Sequence, residues 1–395
     1  MKFRAFPAVL LLIFITACNG TFSVGLEQPT TNATPLASVV IDTQSPTNTV
    51  LPTATLPAPT ATLSPSNTPQ PAASPTLAPS NTPPPAATNT AVPNPVMPNF
   101  IDDRSTPSQV IVSLYNAINR QEYLRAYNYW INPSTSQGSF TAYANGFKNT
   151  ASVKLVFGQI TGDAGAGQLY YTVPVILKTA NKDGTHANFA ACYIVHQSQP
   201  ANFGEPPFNP MSIDRGSAKP SALNASDAST LATACSDFPS GGELVAAGGT
   251  TLNIDKTNYL DNRSGPIETV SSFLNALNLK QYVRAYYYYQ NPSTYPGAFD
   301  PYAAGYSNTD VITVTFGSVQ SEGAAGSLYY KVPLAMKVLT TSSTKQTFVG
   351  CYTLRLAQPA VQATPPFQPM GIIAGKFTQV ANGTDITPLL PTACN

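Results

Sequence analysis

The sequence predicts an α+β protein built from two tandem copies of one domain, and three observations carry that expectation. Residues 101–235 align without a gap on residues 260–394, at a constant offset of 159 (260 − 101), and about two positions in five are identical. Within each copy, residues spaced for amphipathic helices come first and segments that alternate apolar with polar follow. Ahead of both copies runs a long stretch with almost no charge and very little bulk. A repeat of ~135 residues is domain-sized, so the pattern is a tandem pair and not a solenoid.

In chain order, Lys2 and Arg4 precede an uninterrupted apolar run, Ala8 to Ile15. About 20 apolar residues are needed to span a bilayer, so this shorter run reads as a signal-peptide core. The following Ile15-Thr16-Ala17-Cys18 resembles the lipobox of bacterial lipoproteins. That resemblance implies a signal peptide at 1–17, lipid on Cys18, and attachment to the outer face of a membrane, where two or more acyl chains hold firmly. An ordinary secretory signal with a chance cysteine is the alternative.

Residues 18–99 form the predicted stalk. They are mostly Pro, Thr, Ala, Ser and Asn, with only Glu27 and Asp42 charged. Thr53-Ala54-Thr55-Leu56 recurs as Thr60-Ala61-Thr62-Leu63, and Pro65-Ser66-Asn67-Thr68-Pro69 as Pro79-Ser80-Asn81-Thr82-Pro83. Such a segment buries too little apolar area to offset its ordering entropy, so disorder is expected. At about 3.1 Å per residue in polyproline II it would reach ~250 Å when stretched. O-glycosylation of this composition is an open possibility. The whole chain carries a formal charge of 20 − 19 = +1, with charged residues at 10%. That excludes the electrostatic footprint of a nucleic-acid binder.

The first domain is placed at 100–235, a connector at 236–259 and the second domain at 260–395. Thr106-Pro107 with Gln109 reads as a capping box with proline at the first helical position. Ile111, Leu114, Tyr115 and Ile118 share one face of the helix that follows. Tyr123, Ala126, Tyr127 and Trp130 predict a second helix that Asn132-Pro133 stops. A strand with Val153, Leu155 and Phe157 follows, then two strands near Gln168–Thr179 and His186–Gln197, turned at Asp183-Gly184. Pro174 and Pro333 suggest an edge or bulge in that strand, and the tail after Pro200 reads as irregular.

Cysteines keep the same offset: Cys192 and Cys235 are 43 apart, as are Cys351 and Cys394. Four cysteines in an exported protein allow three pairings. The duplication selects Cys192–Cys235 and Cys351–Cys394, leaving Cys18 without a partner. No metal site or cofactor is expected, because two thiols with no repeated histidine make a poor ligand set.

The helical stretch, with Asn116-Ala117-Ile118-Asn119, Tyr123, Arg125-Ala126-Tyr127 and Trp130, then Phe140, Tyr143, Gly146-Phe147 and Thr150, resembles the start of a nuclear transport factor 2-like domain. Copy two keeps Asn275-Ala276-Leu277-Asn278, Tyr282, Ala285-Tyr286, Phe299, Tyr302, Gly305-Tyr306 and Thr309. The resemblance implies a cone in each copy, a curved antiparallel sheet wrapped on the helices around a pocket. It covers isomerases and polyketide cyclases as well as non-catalytic binding and spacer domains.

Catalytic members use an inward aspartate or histidine. Here His186 and His196 align with Lys345 and Arg355, so two equal histidine-based active sites are excluded. Asp163 and Glu322 read as loop residues, and Asp102 and Asp261 as helpers of a helix N-terminus. No catalytic residue is assigned. Aromatic residues are the remaining signal, with 20 tyrosines and the run Tyr286–Tyr289. Four consecutive aromatics on a helix cannot all face inward. Tyr127, Trp130, Tyr286 and Tyr289 are therefore candidate ligand contacts for a glycan, a peptide or an apolar small molecule, against the alternative of core packing. Arg125 and Arg284 are matched neighbours, suited to a carboxylate clamp or a solvent-facing ion pair. The expected function is binding or scaffolding at the cell surface by non-catalytic domains. The alternatives are an isomerase- or cyclase-type enzyme using one cone, and a pair of spacers.

Overall fold

Thr106 caps the first helix, α1 (Pro107–Asn119): its Oγ1 accepts from the Gln109 N–H at 3.2 Å. Val110, Ile111, Leu114 and Ile118 lie buried along that helix. Then come α2 (Tyr123–Tyr127), α3 (Pro133–Ser136) and α4 (Phe140–Gly146). The chain continues into β1 (Thr150–Phe157), β2 (Ile160–Gly165), β3 (Gln168–Asn181), β4 (His186–Ser198) and β5 (Ser212–Ser221), then α5 (Asp227–Ala234) and β6 (Glu243–Val245). Copy two repeats the plan as α6 (Pro266–Asn278), α7 (Tyr282–Tyr286), α8 (Phe299–Gly305), β7 (Thr309–Phe316), β8 (Gln320–Ala324), β9 (Ser327–Thr340), β10 (Lys345–Ala357) and β11 (Gly371–Val380). This computed structural model describes residues 99–238, 242–245, 254, 256 and 258–395. The signal peptide, Cys18, the stalk and most of the connector lie outside the described residues.

Each copy is thus α+β, with helices ahead of one antiparallel sheet. The first sheet runs β5-β4-β3-β2-β6, with β1 also on β3; the second runs β11-β10-β9-β7, with β8 also on β9. Val173, Val175, Leu177, Ala191, Tyr193, Val195 and Ile213 of the first sheet bury against α1 and its neighbours.

Three expectations about the strands change. Pro174 sits in a central strand, opposite Cys192 of β4. On its other side β1 ends at Phe157↔Val175 and β2 begins at Thr161↔Thr172. Proline therefore falls where the neighbouring strand is interrupted and no ladder bond asks for its missing N–H, while its carbonyl accepts from Gly158 N at 2.9 Å. Pro333 repeats the arrangement with Gly317 N at 2.8 Å. Asp163 and Glu322 stand on exposed strands, β2 and β8, and not in loops. The tail after Pro200 is not all irregular either: β5 pairs with β4 and β11 with β10.

Both expected disulfides are present. Cys192–Cys235 ties the end of α5 to β4, and Cys351–Cys394 ties the last residues of the chain to β10. Stable disulfides belong to oxidising, extracytoplasmic compartments. No helix among the described residues is long and apolar enough to cross a membrane.

The copies meet through residues just before α1 and α6, and the contacts exchange under the offset. Asp102 N donates to Ser264 Oγ at 2.9 Å, and Asp261 N to Ser105 Oγ at 2.8 Å. Arg104 N donates to Asp261 O at 2.7 Å, and Arg263 N to Asp102 O at 2.6 Å. Asp103 faces Asn262 across this seam, with Asn262 Nδ2 donating to Asp103 Oδ2 at 3.3 Å. An arrangement in which i meets j and j meets i is that of a twofold dimer, realised here within one chain.

Candidate functional site

The matched arginines are buttresses. Arg125 and Arg284 are each 1% exposed. Arg125 donates to Glu122 Oε2 (2.7 Å), Ile101 O (2.5 Å) and Asn116 Oδ1 (2.9 Å). Arg284 donates to Gln281 Oε1 (2.7 Å), Leu260 O (2.5 Å) and Asn275 Oδ1 (2.8 Å). Neither is a solvent-facing ion pair, and neither has a guanidinium free to clamp a carboxylate ligand. Asn119 and Asn278, at the end of the shared Asn-Ala motif, bond both backbone groups of Val153 and Ile312 and so pin helix to strand.

Asp102 and Asp261 do not serve a helix N-terminus. Both are buried in the seam between the copies, where Tyr129 and Tyr288 hydroxyls donate to them at 2.7 Å. Burial, reinforced by the carboxylate charge, raises both phenol pKa values and keeps the protons on the donors.

Tyr127 and Tyr286 are buried, their hydroxyls donating to Gly138 O and Gly297 O at 2.6 Å. Both belong to the hydrophobic cores of their copies. The run Tyr286–Tyr289 places three rings inside: Tyr286 and Tyr289 are 5% exposed and Tyr288 is 0%. Helical geometry forbids that arrangement, but α7 ends at Tyr286. Tyr289 then forms a parallel bridge to Ile372, as Trp130 does to Ile213. The second helix is accordingly shorter than the spacing to Trp130 predicts.

Among the candidates, Arg125 and Tyr289 line the space on the seam, and Trp130 borders a larger cavity within copy one. Copy one holds an open-mouthed cavity of about 550 Å³ between α1, α4, β1 and residues of β3, β4 and β5. Its walls include Leu114, Trp130, Tyr143, Phe147, Phe189 and Tyr193, with Ser136, Ser217 and Ala218 also on its border. No lining residue is Asp, Glu, His, Lys or Arg. Tyr115 and Tyr193 hydroxyls share a 2.5 Å hydrogen bond at the wall. Trp130 Nε1, Tyr143 Oη and Ser217 Oγ are shielded from solvent and lack a hydrogen-bond partner. Trp130 Nε1–H lies toward the Tyr143 hydroxyl and works against the burial that raises its pKa, yet the pair falls outside hydrogen-bond geometry. Burial also pushes the Tyr193 phenol up to about 12 and raises Tyr115.

In copy two, rings occupy the corresponding places. Tyr295 stands where copy one has Ser136, and Phe377 where it has Ala218. Tyr295 packs edge-on against Tyr289 with centroids 5.4 Å apart, and its hydroxyl donates to Gly375 O at 3.2 Å. Phe377 lies 4.7 Å from Tyr352, and Phe273 5.7 Å from the same ring. Leu274 replaces Tyr115, which removes the paired hydroxyls. A hollow of about 370 Å³ remains at the far end of the second sheet, beside Val311, Lys337, Lys345 and Asn382.

A third space of about 270 Å³ lies on the seam, bordered by Arg104, Arg263, Phe208, Phe367 and Tyr287. Its arginines are already committed: Arg104 to Met211 O, Ser212 Oγ and Asn128 O, Arg263 to Met370 O and Tyr287 O. Of the histidines, His186 is exposed. His196 is half-buried against Gln168 Oε1 at 2.6 Å, and desolvation lowers its pKa. Among the described residues no cluster of three His, Cys, Asp or Glu side chains could hold a metal.

Sequence reasoning found Trp130 but missed Ser136, Ser217 and Ala218. Small residues carry no chemical signature; only the contrast with Tyr295 and Phe377 marks them. Comparison with protein-family models, curated proteins and solved structures found no match to this chain.

Proposed function

We propose that this chain is an exported lipoprotein that holds a small-molecule receptor domain and a filled partner domain at the end of a surface stalk. The observation that carries the receptor reading is the cavity of copy one: about 550 Å³, within the range of small-molecule sites, walled by aromatic rings. Copy two supports the spacer role for its half, because the rings of Tyr295 and Phe377 stand at the places of Ser136 and Ala218 and pack on Tyr289 and Tyr352. Helices packed on an antiparallel sheet in each copy are consistent with the cone of nuclear transport factor 2-like domains. Binding is favoured over isomerase or cyclase chemistry because the cavity wall presents no carboxylate or imidazole to act as general base.

The anchor rests on Ile15-Thr16-Ala17-Cys18 after the apolar run, and on the arithmetic of five cysteines. Four pair within the copies, which leaves Cys18 for lipid. Metabolic labelling with an alkyne fatty acid tests it. The full chain becomes labelled and fractionates with membranes, whereas Cys18→Ser is unlabelled and soluble. Labelling that survives Cys18→Ser defeats the anchor.

A further inference from the structure

We propose that the cavity of copy one takes an uncharged, ring-containing molecule, and that Ser136 and Ala218 are the residues that make copy one, and not copy two, the receptor. This rests on the receptor reading above and names its ligand class and the origin of its specificity.

Two features of the wall define the ligand. Charge is the first. None of the lining side chains is ionisable except Tyr115, Tyr143 and Tyr193, and burial raises the pKa of each. The cavity is neutral through the physiological range. A charged ligand would leave its water there without meeting a counter-ion, a heavy penalty in a low-dielectric site.

Second is shape. Trp130 and Tyr193 stand edge-to-face at 5.9 Å, and Tyr143 and Phe147 at 5.1 Å. Flat apolar faces of this kind suit a ring system.

Copy two supplies the natural control. The same scaffold accepts Tyr at the place of Ser136 and Phe at the place of Ala218. Installing those rings in copy one therefore fills its cavity with residues that the fold already accommodates.

The experiment uses the full chain and the neutral ketone dye prodan, with a carboxylated prodan of the same ring system as the charged probe. Trp130 is the only tryptophan, so energy transfer from it to the dye reports binding at this site. The expected results are one prodan per chain with strong transfer and affinity unchanged from pH 5 to 9. The carboxylated dye should bind at least about tenfold more weakly. Binding is lost in Ser136→Tyr/Ala218→Phe, whose circular dichroism matches the parent. In Tyr295→Ser/Phe377→Ala a second equivalent binds, without transfer from Trp130.

Equal affinity for both dyes, with loss in the filled variant, overturns the ligand class and leaves the receptor reading standing. Prodan binding that survives in the folded, filled variant overturns the role of Ser136 and Ala218. No transfer with either dye overturns the receptor reading itself.

Discussion

A buried guanidinium is costly unless every donor finds an acceptor, and Arg125 meets that condition by gathering carbonyl, amide and carboxylate oxygens around itself. Removing it would take away the buried one of the two arginines that hold Glu122, which is 7% exposed and lies 2.6 Å from Arg125 and 2.7 Å from Arg120. Arg125→Met is therefore expected to destabilise copy one by about 3–5 kcal/mol, the usual cost of breaking a buried pair. Arg284 faces the neutral Gln281, so Arg284→Met should cost less, about 1–3 kcal/mol. Urea unfolding followed by Trp130 fluorescence for copy one, and by tyrosine absorbance for copy two, measures both. Equal losses would show that the carboxylate is not what sets the difference. The reading of these arginines as ligand clamps fails for a physical reason: a sequence shows the charge but not the acceptors folded around it.

At the scale of the element, helix starts and strand alternation were legible wherever one face is buried. Thr106-Pro107 begins α1, and Val153, Leu155 and Phe157 lie on β1. β2 and β5 were not legible. Ile160–Gly165 has one buried residue and Ser212–Ser221 two, so neither shows the period that burial imposes. The second helix was overextended because aromatic spacing continued into a parallel bridge. The end of α1 contains a cost the sequence hides. Gln121 is exposed with φ +59°, where a side chain is strained, and it allows Glu122 N to reach Ala117 O at 2.8 Å. Gln121→Gly is expected to stabilise copy one by about 0.5–1 kcal/mol, seen as a higher urea midpoint. The candidate site was legible only in part. Repeat identity draws attention to what the copies share, which is mostly the polar stapling of helix, strand and seam. The cavity lies where they differ.

For the whole molecule, the seam makes a dimer of unlike halves from one duplicated sequence. Position 103 meets position 262, and the copies carry Asp and Asn there. Two aspartates at this place would repel, whereas Asp with Asn forms a hydrogen bond. Asn262→Asp is expected to loosen the seam without unfolding either half. With a protease site inserted in the connector 236–259, the cleaved halves of the parent should co-elute on size exclusion. Those of Asn262→Asp should separate in low salt and partly re-associate as salt screens the pair. Co-elution of the variant's halves at every salt concentration would show that the polar exchange at the axis does not govern docking. The asymmetry of the axis and the asymmetry of the cavities are separate divergences of the same duplicated unit.

The N-terminal segment that builds the seam also has a mechanical meaning. Asn99 O accepts from Asn116 Nδ2 at 2.7 Å, Ile101 N donates to Asn116 Oδ1, and Asp103 N to Ser113 Oγ, before Asp102 and Arg104 cross to copy two. Tension entering at Asn99 is thus divided between α1 and the second copy within a few residues. Pulled from its N-terminal side, this molecule takes the load first on α1, through Asn116, and shares it within a few residues with the second copy, so the strands β3, β4 and β5 on the other side of the cavity are the part of the wall not pulled directly.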